Sequence, residues 1–150
     1  MSQSLHVRTG STWELVPFLY VRSGGVWREV QEAFVRDGGV WQKFHQAFIA
    51  TASPATVTGN RIGEGFASTN TATVAVSGGV GPFTYFWEVV SQSGSVTAGF
   101  VDNTNPSTQV SATFTNGGQS VSGVIKCVVT DTTTGVIVDS TTVNFTLVAI

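Results

Sequence analysis

Short segments of alternating hydrophobic and polar residues, separated by glycine-rich turns, fill the last two thirds of the chain. Alternation at every second residue is typical of half-buried β-strands, so each segment predicts a strand. The segments with this pattern are 71–77, 83–90, 109–114, 122–130 and 136–148. The residues that the alternation assigns to a hydrophobic core include Tyr85, Trp87, Ile125, Cys127 and Phe145.

The first 50 residues contain a different pattern, a sequence repeat with a period of 14 residues. Each of its three units has an arginine, a glycine, a tryptophan and a closing aromatic residue at matching places. These residues are Arg8, Arg22 and Arg36; Gly10, Gly24 and Gly38; Trp13, Trp27 and Trp41; and Tyr20, Phe34 and Phe48. Chance does not keep four residue types in register three times, so we expect the units to share one local structure.

Each unit of the repeat is predicted to be a β-hairpin. Gly24-Gly25 and Gly38-Gly39 lie between short apolar segments, and glycine supplies the positive φ that a tight hairpin turn needs. A short helix is the alternative, because Trp27, Val30 and Phe34 also fit a helical spacing. Pro17 in the first unit favours the hairpin, since proline disrupts a helix interior.

The sequence therefore predicts an all-β protein with a hairpin-repeat region at 1–50 and a β-sandwich at 51–150. Residues 50–54 are interpreted as the joint between the two. The stretch 59–65 is expected to be a loop or a short edge strand.

Composition narrows the classes of partner. Only 11% of the residues are charged and the formal net charge is −2, which favours neither nucleic acid nor an anionic membrane. No apolar segment approaches the roughly 20 residues that a membrane span requires. The beginning of the chain lacks the features of a secretory signal, so we expect synthesis in the cytoplasm. The single cysteine, Cys127, excludes an intramolecular disulfide.

Residues with catalytic or metal-binding chemistry are scattered. His6 and His45 lie far apart without further ligands at metal-binding spacing, and His45 is expected at a surface or interface. Cys127 is assigned to a buried strand, where a thiol behaves as a small hydrophobic group. Calcium at 102–105 is an alternative that lacks the spacing of a dedicated site. We therefore expect a non-enzymatic protein without a cofactor or a metal.

The repeated tryptophans carry the functional hypothesis. A β-meander of about 45 residues has too little interior to bury three indoles. The assigned assembly surface comprises Trp13, Trp27, Trp41, Tyr20, Phe34, Phe48, Arg8, Arg22 and Arg36. Two alternatives stay open: the tryptophans form the core of the repeat itself, and the arginines form a solvated edge that discourages strand pairing.

The later part of the chain resembles bacterial and phage immunoglobulin-like domains, especially the polycystic-kidney-disease type. The resemblance lies in Gly81-Pro82-Phe83-Thr84-Tyr85-Phe86-Trp87 and in Ile125-Lys126-Cys127-Val128-Val129-Thr130-Asp131. It implies that the β-sandwich at 51–150 is immunoglobulin-like, that Trp87 is the core tryptophan of its strand C and that Cys127 lies on its strand F. The chain departs from the family pattern because strand B lacks a cysteine and Ile125 stands where a tyrosine is common.

The Val-Arg-x-Gly-Gly-x-Trp units at 21–27 and 35–41 resemble repeats in structural proteins of tailed bacteriophages. The two resemblances together imply a virion protein of the tail, a fibre or a capsid decoration, made in the cytoplasm of a bacterial host. Its expected partners are other virion proteins and further copies of the chain, a trimer being one form. The alternative is a module that binds host-surface glycans through the repeated tryptophans.

Overall fold

The protein, described here from a computed structural model, is built from β-strands, turns and loops. The structure describes residues 6–9, 11–16 and 18–150, with only the backbone of 13–15 and 44. Within these residues there is no helix, so the helical alternative for the repeat is wrong there. The strands are β1 His6–Thr9, β2 Thr12–Leu15, β3 Tyr20–Ser23, β4 Val26–Glu29, β5 Glu32–Asp37, β6 Val40–Gln46, β7 Ile49–Ser53, β8 Thr56–Arg61, β9 Gly65–Ser68, β10 Ala72–Ser77, β11 Phe83–Gly94, β12 Gly99–Phe100, β13 Ser107–Thr108, β14 Val110–Phe114, β15 Ser120–Asp131, β16 Ile137–Asp139 and β17 Val143–Ala149.

The chain divides into two compact units. The first contains the residues up to Ile49 together with Val76–Phe83 and Asp131–Val136. The second contains Ala50–Ala75, Thr84–Thr130 and Ile137–Ile150. The prediction of separate domains at 1–50 and 51–150 stays a prediction.

The repeat forms three two-stranded antiparallel hairpins, β1–β2, β3–β4 and β5–β6. In the second hairpin Gly24 and Gly25 have φ of 60° and 83°, and in the third Gly38 and Gly39 have 55° and 86°. Positive φ at both central residues defines the type I′ turn, whose twist matches that of paired strands. The hairpin prediction is confirmed.

The sandwich contains one five-stranded sheet in the order β11-β15-β17-β8, with β16 also paired to β15. Its pairings β15–β16 and β15–β17 are antiparallel, whereas β17 and β8 run parallel. Two shorter sheets have the orders β13-β10-β7 and β12-β14-β9. The consecutive strands β9 and β10 lie in different ones of these two sheets, as do β13 and β14. The arrangement is that of an all-β fold of the sandwich type.

The core of the sandwich is apolar and closed. Fully buried side chains come from β8, β11, β14, β15 and β17, and the largest are Trp87, Phe114, Phe145, Ile125 and Leu147. Gly123 allows close approach of the backbone: a Cβ there would lie 2.1 Å from the carbonyl oxygen of Ser91. Among the described residues, no buried side-chain nitrogen or oxygen lacks a hydrogen-bond partner.

Several strand predictions need correction. Residues 50–53, predicted as a joint, belong to strand β7, which pairs with β10. The stretch 59–65, by contrast, is a loop and an edge strand as expected: residues 59–61 end β8, the last strand of the five-stranded sheet, and bends follow at 62–64. The segment 136–148 is two strands, β16 and β17, rather than one. Between them the Ser140 hydroxyl, in place of a backbone carbonyl, accepts a hydrogen bond from the Cys127 backbone N–H at 2.9 Å.

Candidate assembly surface

The hairpin register places one arginine directly opposite one tryptophan in each repeat unit. The pairs are Arg8 with Trp13, Arg22 with Trp27, and Arg36 with Trp41. Directly opposite residues of an antiparallel pair project on the same face, so Arg22 is a neighbour of Trp27, and Arg36 of Trp41. The 14-residue period of the sequence is thus a period of cross-strand Arg–Trp pairs.

We name the side of the second and third hairpins that carries these pairs the aromatic face. In the second hairpin it comprises Tyr20, Arg22, Trp27 and Glu29, because Tyr20 is opposite Glu29. In the third it comprises Phe34, Arg36, Trp41 and Lys43, because Phe34 is opposite Lys43.

The aromatic face is open to solvent. The exposed fraction is 65% for Trp27 and 66% for Trp41, and Tyr20 and Phe34 are also exposed. Trp and Tyr are among the residues most enriched at the energetic centres of protein interfaces. Four large exposed aromatic side chains therefore make this face a candidate interface.

The opposite side of the same hairpins, the valine face, is exposed as well. It carries Val21 and Val26 in the second hairpin and Val35 and Val40 in the third. A two-stranded hairpin is only marginally stable in water, and these hairpins cover neither of their faces. The free energy that would hold them in place must come from contacts with something else.

Charged groups on the aromatic face are partly unpaired. Lys43 forms an ion pair with Glu32, and its ammonium lies 5.7 Å from the centre of the Phe34 ring. Arg22, Arg36 and Glu29, by contrast, take part in no ion pair within the described part of the chain. Their charges remain available to a partner.

The first hairpin can be compared only in part. Arg8 is exposed and Val7 has an exposed fraction of 51%. The side chain of Trp13 lies outside the described residues, so its assignment to the assembly surface stays a prediction.

Phe48 differs from Tyr20 and Phe34, its counterparts in the repeat. It follows β6, has an exposed fraction of 6% and stacks on Phe83 with ring centroids 5.4 Å apart. Its assignment to the open surface needs correction, since the Phe83 ring already covers it. His45, expected at a surface or interface, is also buried in the chain, with Nε2 3.1 Å from the carbonyl oxygen of Val30.

The residues assigned to the sandwich core are buried with one exception. Trp87, Ile125, Cys127 and Phe145 are almost fully inaccessible, whereas Tyr85 is only half-buried. The indole N–H of Trp87 donates to the carbonyl oxygen of Asn105 at 2.9 Å. Burial raises the pKa of the Cys127 thiol to about 11, so this side chain is protonated at neutral pH.

Asp131 is a buried carboxylate that the sequence did not single out as a buried group. Oδ2 accepts from the backbone N–H of Val80 at 2.7 Å, and Oδ1 from those of Thr133 and Thr134 at 3.0 and 3.2 Å. Burial alone would raise its pKa, but the backbone N–H donors outweigh that effect and leave the pKa lowered. The signal for this role is an aspartate beginning a Thr-Thr-Thr-Gly turn, a common side-chain-to-backbone pattern.

Asp102, considered for calcium, bonds to its own loop. It accepts from the backbone N–H and hydroxyl of Thr104, both at 2.8 Å, and these bonds lower its pKa. Throughout the described residues, no group of three or more His, Cys, Asp and Glu side chains is placed to hold a metal ion. The part of the chain that the structure describes also has no helix long and apolar enough to cross a membrane.

Comparison of the chain with protein-family models, with curated proteins and with solved structures gives no match. The argument for function therefore depends on the chain's own residues.

Proposed function

We propose that this chain is a non-enzymatic structural protein of a tailed-phage virion, in which the repeat hairpins are an assembly surface. The observation that carries the proposal is the aromatic face, which exposes Trp27 and Trp41 on sheets without a core of their own. The repeat docks onto a partner or oligomerises, and the sandwich projects as a decoration or adhesion module.

The energetics favour an assembly surface. Full burial of one large apolar side chain is worth about 1.5–3 kcal/mol. The aromatic and valine faces offer several such side chains in each of two hairpins, together with arginines, which are common at interface centres. Burying one face against a partner would stabilise the complex. It would also stabilise the hairpin, because the side chains on that face would then be packed.

The phage assignment is supported by the two sequence resemblances. Units such as 21–27 and 35–41 resemble repeats of tail and fibre proteins, and immunoglobulin-like domains occur on the same particles. We favour the tail or its fibres over the capsid. The polycystic-kidney-disease type of domain is proposed on the same basis, as is a location in the virion after synthesis in the host cytoplasm.

Glycan binding is a second candidate, and one observation favours it. Exposed indole rings can serve as flat platforms for sugar rings, and Trp27 and Trp41 are both about two-thirds exposed. The two candidates differ in when the rings are exposed. An assembly surface is covered in the oligomer or complex, whereas a glycan site stays open in it.

Light scattering of the full chain, with Trp27→Ala and Trp41→Ala variants, tests the proposal. We expect wild type to form an oligomer at micromolar concentration and the double variant to be a monomer with a native sandwich. Phe66→Ala is the matched control, because Phe66 is a 56% exposed aromatic residue on β9 of the sandwich. A wild-type monomer whose indoles stay open to acrylamide quenching would contradict assembly through copies of the chain.

The same proteins test the glycan alternative. Binding to a glycan array that is lost in Trp27→Ala, with no change in molecular mass, would favour the sugar site. Indoles that become protected from quenching as the oligomer forms would favour the assembly surface.

A further inference from the structure

We propose that Asn116 is a site of spontaneous covalent modification, at which the side chain loses its amide group through attack by the backbone nitrogen of Gly117. Both residues lie in the turn between β14 and β15 of the sandwich, so this inference is independent of the proposed assembly function. The reaction needs no enzyme, and its co-reactant is water. Asn116-Gly117 is the one asparagine–glycine step in the sequence.

The reaction is a ring closure between neighbouring residues. The Gly117 N–H loses its proton to a base in solution, the nitrogen bonds to Cγ of Asn116, and the Cγ–Nδ2 bond breaks to release ammonia, which takes up a proton from solvent. Water then opens the resulting succinimide ring. Opening at Cγ gives aspartate, whereas opening at the backbone carbonyl carbon gives isoaspartate, in which the main chain runs through Cγ. Either carboxyl is ionised at neutral pH and adds one negative charge.

The attacking nitrogen is exposed and unused. Gly117 lies in an exposed turn, and within the described residues its N–H donates to no other group. Other amides of the same turn differ: the Gly118 N–H donates to the carbonyl oxygen of Ala149 at 2.8 Å, and the Thr115 N–H donates to Oε1 of Gln119 at 2.7 Å. Attack by the Gly117 nitrogen therefore breaks no hydrogen bond of the described residues.

The amide group under attack is only weakly held. Asn116 is exposed, and its Nδ2 lies 3.4 Å from Oγ1 of Thr115, a long hydrogen bond. Because Gly117 has no Cβ, no side chain shields its nitrogen from the Asn116 side chain. The Asn116 side chain can therefore turn toward this nitrogen.

Other asparagines in loops lack one of these features. Asn105 precedes a proline, which has no N–H to lose. Asn103 precedes Thr104, whose N–H already donates to Oδ1 of Asp102 at 2.8 Å and which has a Cβ. Asn116 combines an exposed side chain, a free neighbouring N–H and a neighbour without a side chain.

Isoaspartate should change the turn more than aspartate does, because it adds one carbon atom to the main chain between residues 116 and 117. Gln119 spans this point, since its Oε1 accepts from the backbone N–H groups of Thr115 and Asn116 at 2.7 and 3.1 Å. A longer main chain displaces Gln119 from these donors. We therefore expect the isoaspartyl form to melt at a lower temperature than the Asn116→Asp variant, which gains the charge alone.

Peptide mapping by mass spectrometry, after incubation of the full-length protein at 37 °C, tests the proposal. We expect aspartate and isoaspartate to accumulate at Asn116, and to do so faster at pH 9 than at pH 6, because the attacking nitrogen must lose a proton. The peptide that contains Asn103 is the internal control and should keep its amide over the same period.

Gly117→Ala is the matched variant, because it shields the nitrogen without straining the turn. A Cβ at Gly117 meets backbone atoms of Ile150 at 3.8 Å, an ordinary contact, and the φ of Gly117 is not among the positive ones. The variant should fold like wild type and lose the amide at least about tenfold more slowly, which corresponds to a barrier about 1.4 kcal/mol higher.

Three results would overturn the inference or part of it. An amide at Asn116 that survives prolonged incubation at pH 9 would exclude the modification. Equal rates in wild type and Gly117→Ala, or a rate that does not rise with pH, would exclude the Gly117 nitrogen as the attacking group. A melting temperature of Asn116→Asp as low as that of the isoaspartyl form would contradict the effect of the longer main chain.

Discussion

The two regions of the chain place the same residue type in opposite environments. Trp87 in the sandwich is 0% exposed and hydrogen-bonded through its indole, whereas Trp27 and Trp41 in the repeat are 65% and 66% exposed. All of them lie on β-strands. The difference is that β11 belongs to a sheet facing a second sheet, while each hairpin is a sheet of two strands.

The hairpins and the sandwich are therefore stabilised by different interactions. The sandwich buries side chains from strands of several sheets. Within the described residues, each buried side-chain nitrogen or oxygen has a hydrogen-bond partner. The described hairpins hold their shape through turn geometry and backbone pairing, with little burial. Substitutions in the sandwich should therefore change stability, and substitutions in the repeat should mainly change association.

Trp87→Ala should have the largest effect on stability and sets the scale of this comparison. Removing a buried tryptophan leaves a cavity and typically costs about 3–5 kcal/mol in unfolding free energy. Trp27→Ala in the monomer should cost less than about 0.5 kcal/mol, as is usual for surface sites. Urea denaturation followed by circular dichroism measures both, and similar losses for the two variants would contradict the contrast.

Trp87→Phe refines this prediction. It retains much of the aromatic volume and removes the hydrogen bond to Asn105, so its loss should lie between those of wild type and Trp87→Ala.

Gly123→Ala should destabilise the sandwich by about 1–3 kcal/mol, the usual cost of overpacking a core. The new methyl group would lie 2.1 Å from the Ser91 carbonyl oxygen and 2.8 Å from the Phe145 ring, so a strand must move. Thermal unfolding measures the loss. Gly99→Ala is the control, because a Cβ at Gly99 meets no atom within 4 Å.

Asp131→Asn should lower the unfolding free energy at pH 7 by about 1–3 kcal/mol, because a buried set of backbone donors loses its carboxylate. The folded-state pKa of Asp131 is lowered, so its ionised form contributes stability above the unfolded pKa of about 3.9. That contribution is lost as pH falls through the folded pKa. The difference between wild type and Asp131→Asn should therefore shrink between pH 7 and pH 3.

Denaturation at several pH values measures this dependence. Asp102→Asn is the control: the pKa of Asp102 is also lowered by hydrogen bonds, but its carboxylate lies in an exposed loop. An equal loss for the two variants would contradict the special role of the buried carboxylate.

Short sequence patterns predicted the elements whose structure depends on neighbouring residues. Gly-Gly turns predicted the hairpins, and period-two alternation predicted β11 and β15. Strand β7 and the first residues of β8 were missed because their buried side chains are small, such as Ala50, Ala52 and Val57, and give little hydrophobic signal. The parallel pairing of β8 with β17 joins segments nearly 90 residues apart, which no local pattern encodes.

The assigned surface residues show the same limit. The repeat predicted that Phe48 would behave like Tyr20 and Phe34, but Phe83, 35 residues later, covers it. The repeat predicts the strand register of each hairpin. Whether an aromatic residue of the repeat is exposed depends instead on contacts with residues distant in the sequence. Asp131 was missed as a buried group for the same reason, because its donor Val80 lies in a distant loop.

Gly38→Ala should have the smallest effect on the stability of the sandwich and completes the comparison of the two regions. Gly38 has nothing within 4 Å of its missing Cβ, so the cost comes only from its φ of 55° and should be about 1–2 kcal/mol, confined to the third hairpin. Since that hairpin shares no sheet with the sandwich, the melting temperature of the sandwich should not change, whereas self-association should weaken. Gly38→Asn should be tolerated, because asparagine is favoured at this turn position. Light scattering and thermal unfolding of the two variants measure these effects, and a drop in sandwich stability for Gly38→Ala would show that the hairpins contribute to the fold after all.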